Sequence, residues 1–185
     1  AGLALFAAMA VACIGGVVIA RRLAEPAGRA VQVAVGVLKD RLAALEAVER
    51  NAGSSGPQVE DILGAFIRPA FSKEGGDRHH TFRKLMGRCL SEPSPQIEKM
   101  LHAHFQTIIK RFDAALLRAL PGLNRAELFW RMSYLIAGLH HVLLMVSGAF
   151  PLPPDIDLDE EAVVRRQIQF ATAVLRTPAL KKKDL

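Results

Sequence analysis

The chain has 185 residues, 51% of them hydrophobic, with one Trp and one Tyr; that is enough for one compact domain and an appendage, and an aliphatic core of Leu, Ala, Val and Ile favours packed helices. The net charge of +6 admits an anionic partner, but the charges are scattered, with Arg83, Lys84 and Arg88 as one small group and Lys181, Lys182 and Lys183 as a tail, so they read as solvated helix faces rather than a nucleic-acid footprint. The two cysteines, Cys13 in a very apolar segment and Cys89 in an amphipathic one, exclude a disulfide framework and have no metal-ligand spacing.

Residues 1–20 contain no charged side chain, and Arg21 and Arg22 follow at once. As a helix, this segment spans about 30 Å, the thickness of a bilayer core. It reads either as a membrane span ending on the cytoplasmic side or as a buried core helix. It lacks the basic region that precedes a secretory signal. The run from Val31 to Asn51 predicts one helix, with Val37, Leu38, Leu42, Leu45 and Val48 on one apolar stripe. Ala52-Gly53-Ser54-Ser55-Gly56 breaks it.

Pro57 suits the first position of the next helix, Glu60 and Asp61 its first turn, and Val59, Ile62, Leu63, Phe66 and Ile67 its buried face. Pro69 kinks or ends it, and 72–80 reads as a loop. Thr81 can cap a helix with Phe82, Leu85, Met86, Cys89 and Leu90 inward. Ser94-Pro95 starts a long helix to about Leu120, with Ile97, Leu101, Phe105, Ile108, Phe112 and Leu116 in step. Pro121-Gly122 ends it, and Asn124 with Glu127 forms a capping-box pattern.

The helix from Arg125 to about Ser147 is apolar nearly all the way round, so it must be buried on every side. In a domain this small, that requires a second molecule against one face. Pro151, Pro153 and Pro154 make a stiff connection, and Asp157 with Glu160 is a second cap pattern. A last helix carries Val163, Val164, Ile168, Ala171, Val174 and Leu175 and ends before Pro178.

No catalytic or cofactor motif stands out. None of the pairs His79-His80, His102 with His104, and His140-His141 converges on one metal without help from elsewhere, because neighbours one or two apart leave a helix on different sides. His140 and His141 lie in the apolar helix and read as partly buried histidines bonded to a carbonyl or a partner subunit, or as polar contacts in a ligand pocket. Cys89 has no activating partner in its own helix. The reading is therefore no enzyme, no metal and no cofactor.

The blocks "LAALEAVERNAG", "VEDILGAFIRPAF", "FRKLMGRCLSEPSP", "IEKMLHAHFQTIIKRFDAALLRALPGL" and "NRAELFWRMSYLIAGLHHVLL", in this order, resemble the C-terminal domain of TetR-type transcriptional regulators, in a subgroup that includes regulators responsive to fatty acids or their derivatives. The resemblance implies an all-α bundle of about six helices behind an apolar N-terminal helix. It divides the chain into 1–22 (an apolar helix with a membrane-span reading), 23–52 (connecting helix), 53–178 (ligand-binding and dimerisation domain) and 179–185 (basic tail). "IARRLAEP" resembles both the beginning of a HAMP signalling linker and that of the family's connecting helix.

The resemblance further implies a four-helix dimer interface from the last two helices of each subunit, here Trp130, Tyr134, Ala137, His141, Leu144, Val164, Ile168 and Ala171. It implies a cavity for a small apolar or amphipathic effector lined by Phe66, Phe82, Met86, Phe105, Ile108, Phe112, Phe129 and Met132. The family's DNA-reading helix-turn-helix head finds no counterpart in residues 1–30, which lack polar and basic helices, so DNA would be reached only through a head outside this chain. The expected function is the effector-binding and dimerisation module of a cytoplasmic regulator. The alternative is a membrane-anchored helical sensor or interaction protein, with residues 1–20 in the inner membrane and the helical domain in the cytoplasm.

Overall fold

The computed structural model describes residues 35–71, 95–146 and 158–179, the isolated positions 32, 148, 153, 155 and 156, and, within the helix that begins at Pro95, side chains from Phe105 onward. The expectations for residues 1–30, the loop at 72–80, the helix at 82–90 and the tail lie outside the described residues. Five α-helices and two short 3-10 turns make up what is described, with no strand among those residues. The all-α expectation holds. The helices are α1 (35–52), α2 (Val59–Ile67), α3 (Pro95–Ala119), α4 (Arg125–Val146) and α5 (Glu160–Arg176).

Helix α1 presents Val37, Leu38, Arg41 and Leu45 inward at the three- and four-residue spacing of one stripe. It gives way to a 3-10 turn at Gly53–Ser55, and Gly56 follows at φ 69°, ψ 157°, a conformation that side chains bearing a Cβ avoid. The sequence placed Pro57 as the first helical residue; instead α2 begins at Val59, after Gln58 in an extended conformation. Pro69 acts as expected: α2 ends at Ile67 and tightens into a 3-10 turn over Arg68–Ala70.

Short as it is, α2 is the hub. Seven of its nine residues are buried, because α5 and α3 cover it from two sides and α1 joins the same core. A helix covered this way is apolar along most of its length, and "VEDILGAFI" keeps only Glu60 and Asp61, in its first turn, for the solvent side.

Helices α3 and α4 pack against each other, and Ile108, Phe112, Ala115 and Leu116 of the first and Leu128, Met132, Leu135 and Leu139 of the second are buried in the same core. The turn between them is fixed by Asn124, whose Oδ1 accepts the backbone N–H of Glu127 at 2.9 Å. The corresponding cap of α5 is Asp159, two residues beyond the Asp157 of the sequence pattern; its Oδ2 accepts from Ala162 N at 2.9 Å. Arg131 then ties α4 to the far end of α5. Its Nη1 donates to the carbonyls of Val174 and Leu175, both at 3.0 Å, and of Thr177, and its Nη2 to that of Pro178 at 3.1 Å. Glu127 Oε2 takes the remaining donors, from Nη2 at 3.0 Å and Nε at 3.2 Å.

Among the described residues, α4 alone is long and apolar enough to cross a membrane. Its Leu128, Met132, Leu135, Leu139 and Leu143 are packed in the bundle.

A cavity and an aromatic surface share one helix

Helices α1, α2, α3 and α4 line a partly open cavity of about 250 Å³. Phe105, Ile108, Ile109, Phe112 and Asp113 line it from α3, and Phe129, Met132, Ser133, Ile136, Leu139, His140 and Leu143 from α4. Each set recurs at three and four residues, so each is one face of its helix. Phe66 closes the cavity from α2 and Arg41 from α1. Six of the eight expected pocket residues thus converge: Phe66, Phe105, Ile108, Phe112, Phe129 and Met132. Phe82 and Met86 lie outside the described residues.

The rings of Phe66 and Phe112 meet edge to face, centroids 5.2 Å apart at 74°. Over the Phe66 ring lies the guanidinium of Arg41, its Cζ 4.2 Å from the centroid. Arg41 is 5% exposed, and burial lowers its pKa to about 10. Burial raises the pKa of Asp113, against the opposing charge of Arg125. It lowers that of His140, with His141 acting in the same direction. Among the described residues, three ionisable groups and Ser133 therefore sit in a wall that is mostly apolar and rich in aromatic rings.

The outer side of α4 is as apolar as the inner one. Phe129 is 63% exposed, Trp130 56% and Tyr134 66%. Phe129 and Trp130 meet edge to face at 5.5 Å, and Trp130 stacks on Tyr134 at 6.2 Å. Ala137 and His141 continue this exposed side, Leu144 is half-buried, and Phe170 on α5 adds a further exposed ring.

The α5 residues expected at a dimer interface lie within the bundle of their own chain. Val164 and Ala171 are buried in the core of their own chain, and Ile168 packs against that core. Helix α5 turns this apolar stripe toward α2, and Ile168 also reaches a wider cleft between α1, α2 and α5. Phe170, which the sequence reading passed over, is the large apolar side chain that α5 leaves outside.

Sequence reasoning also missed Arg41. The signal was present: a cation at the third and fourth position after Leu38 and Val37, on an otherwise apolar stripe. A second, wider cleft of about 800 Å³ runs between α1, α2 and α5. It is open to solvent and flanked by the ion pairs Arg176–Glu60 and Arg68–Glu161, so it offers less enclosure to a small apolar molecule. No cluster of three metal-ligating side chains occurs among the described residues.

A family model described as the tetracyclin repressor-like C-terminal domain matches residues 64–173, more than half of the chain. The chain belongs to this family. TetR-like C-terminal domains are parts of transcriptional regulators rather than enzymes, which is the class the sequence reading expected. The TetR-like match runs from the middle of α2 almost to the end of α5. It therefore takes in the cavity walls from α3 and α4 and the exposed aromatic side, and leaves Arg41 on α1 outside. No curated protein and no solved structure matches the chain.

Proposed function

We propose that this chain is the effector-binding and dimerisation module of a TetR-type transcriptional regulator. The observation that carries the proposal is the two-sided use of α4. One face lines a partly open, aromatic-rich cavity, the other leaves Trp130 and Tyr134 in solvent, and Phe129 stands at the border of the two. Exposed aromatic clusters of this kind mark interaction surfaces, and Trp and Tyr are the usual anchors of such contacts. The surface is read as isologous, α4 and Phe170 of one subunit meeting the same elements of another.

An effector in the cavity would touch α1 through Arg41. A preference of the effector for one placement of α1 shifts the population of that placement. A helix-turn-helix head joined on the N-terminal side of α1 would feel the shift as a change in DNA affinity. Sedimentation velocity on the full chain and on a Trp130→Glu/Tyr134→Glu variant tests the dimer. We expect a dimer for the first and a monomer for the second, with dimer affinity weakened about thirtyfold or more. A variant that dimerises as well as the unaltered chain would remove this surface from the account.

The charge-free run at 1–20, followed by Arg21 and Arg22, supports a second reading, the same helical domain anchored at the inner membrane. Fractionation separates the two: an anchored protein pellets with membranes and needs detergent.

A further inference from the structure

We infer that the cavity takes a compact monoanion, an aromatic carboxylate about the size of benzoate, whose carboxylate is received by Arg41. The inference rests on reading the cavity as the effector site and adds the ligand's charge, size and shape. Three observations carry it.

The first is the placement of a cation. Arg41 reaches the cavity wall from α1 with 5% of its surface exposed. Charge attraction is many times stronger in apolar surroundings than in water, so a buried guanidinium discriminates sharply between an anion, a neutral molecule and a cation. Its planar fork matches a carboxylate through two parallel hydrogen bonds. The second observation is size. A cavity of about 250 Å³ holds the volume of roughly eight water molecules, which suits a ligand of about ten non-hydrogen atoms. A long acyl chain would have to extend through its open side, past the exposed Phe129, Ile109 and Ile136.

The third is the lining. Phe66, Phe105, Phe112 and Phe129 offer ring faces and edges, and Phe66 already carries Arg41 on its face. A flat ring with one carboxylate can pack among them while its charge meets the guanidinium. Asp113 in the same wall argues against a second negative charge on the ligand.

Isothermal titration of the full chain with benzoate, benzyl alcohol, benzylamine and decanoate tests this. We expect benzoate to bind about tenfold or more tighter than benzyl alcohol, and benzylamine not at all. Arg41→Met should weaken benzoate about thirtyfold while leaving benzyl alcohol unchanged. Ile136→Trp narrows the cavity and leaves Arg41 in place; it should weaken both. If Arg41→Met does not fold, the ranking of the four ligands on the unaltered chain, together with Ile136→Trp, decides. Benzyl alcohol binding as well as benzoate, or benzoate insensitive to Arg41→Met, would overturn the charge assignment and leave the effector cavity standing. Decanoate binding tighter than benzoate would overturn the size and shape. Binding of none of the four would overturn the cavity reading itself, and this inference with it.

Discussion

Two residues show how burial sets the behaviour of single side chains. Thr172 on α5 is 7% exposed, and its Oγ1 has no hydrogen-bond partner. A hydroxyl buried this way costs free energy without return, and Val has nearly the same shape. Thr172→Val should therefore raise the stability by about 1 kcal/mol, read as a higher midpoint in urea at unchanged slope. An unchanged or lower midpoint would mean that the hydroxyl is satisfied. His140 is a second case. Burial and His141 hold its folded pKa below the ordinary value of 6.5, so the folded state favours the neutral ring. The stability this gives is complete above the unfolded pKa and is lost as pH falls below it, because the unfolded chain takes up the proton first. His140→Gln should flatten the stability profile in the window just below pH 6.5, and an identical slope in the variant would exclude His140 as its source.

At the scale of elements, much of the fold is legible because helix signals are local. The apolar stripe of α1 and, from Phe105 onward, that of α3 emerge as expected, and Asn124 caps α4 through Glu127 N. Pro95 and Pro69 mark a helix start and a helix end. What was not legible depends on partners distant in sequence. Asp159 rather than Asp157 caps α5, a choice made by where the chain must turn to meet α2. Val164 and Ala171 face inward for the same reason. Arg131 reads in sequence as one more helix charge, yet it closes the end of α5 from 43 to 47 residues away. No other side chain can supply that planar set of donors, so Arg131→Met should cost about 3 kcal/mol, and Arg131→Lys most of that. Equilibrium unfolding measures both; a loss under about 1 kcal/mol would mean that water replaces the cap.

The candidate site was half legible. Aromatic and Met side chains on the stripes of α2, α3 and α4 are visible in the sequence, and five of them, with Ile108, line one cavity. Arg41 and Asp113 were not assigned to it, and His140 only as one of two alternatives, since only the crossing of the helices brings them to the same wall.

For the whole molecule, α4 ties the two proposed roles together. Phe129 and Ile136 belong to the cavity wall and are also exposed beside Trp130 and Tyr134, so filling the cavity and pairing two chains involve the same helix. Such a helix couples a small molecule to assembly in both directions, since linkage is reciprocal. The family's place in transcriptional regulators fits a module of this kind. Native mass spectrometry of the purified full chain tests the account most directly, because it reports subunit number and bound small molecules in one spectrum. The account predicts a dimer that carries, or takes up on addition, one small molecule per subunit. A chain that stays monomeric at micromolar concentration and retains no ligand would contradict it.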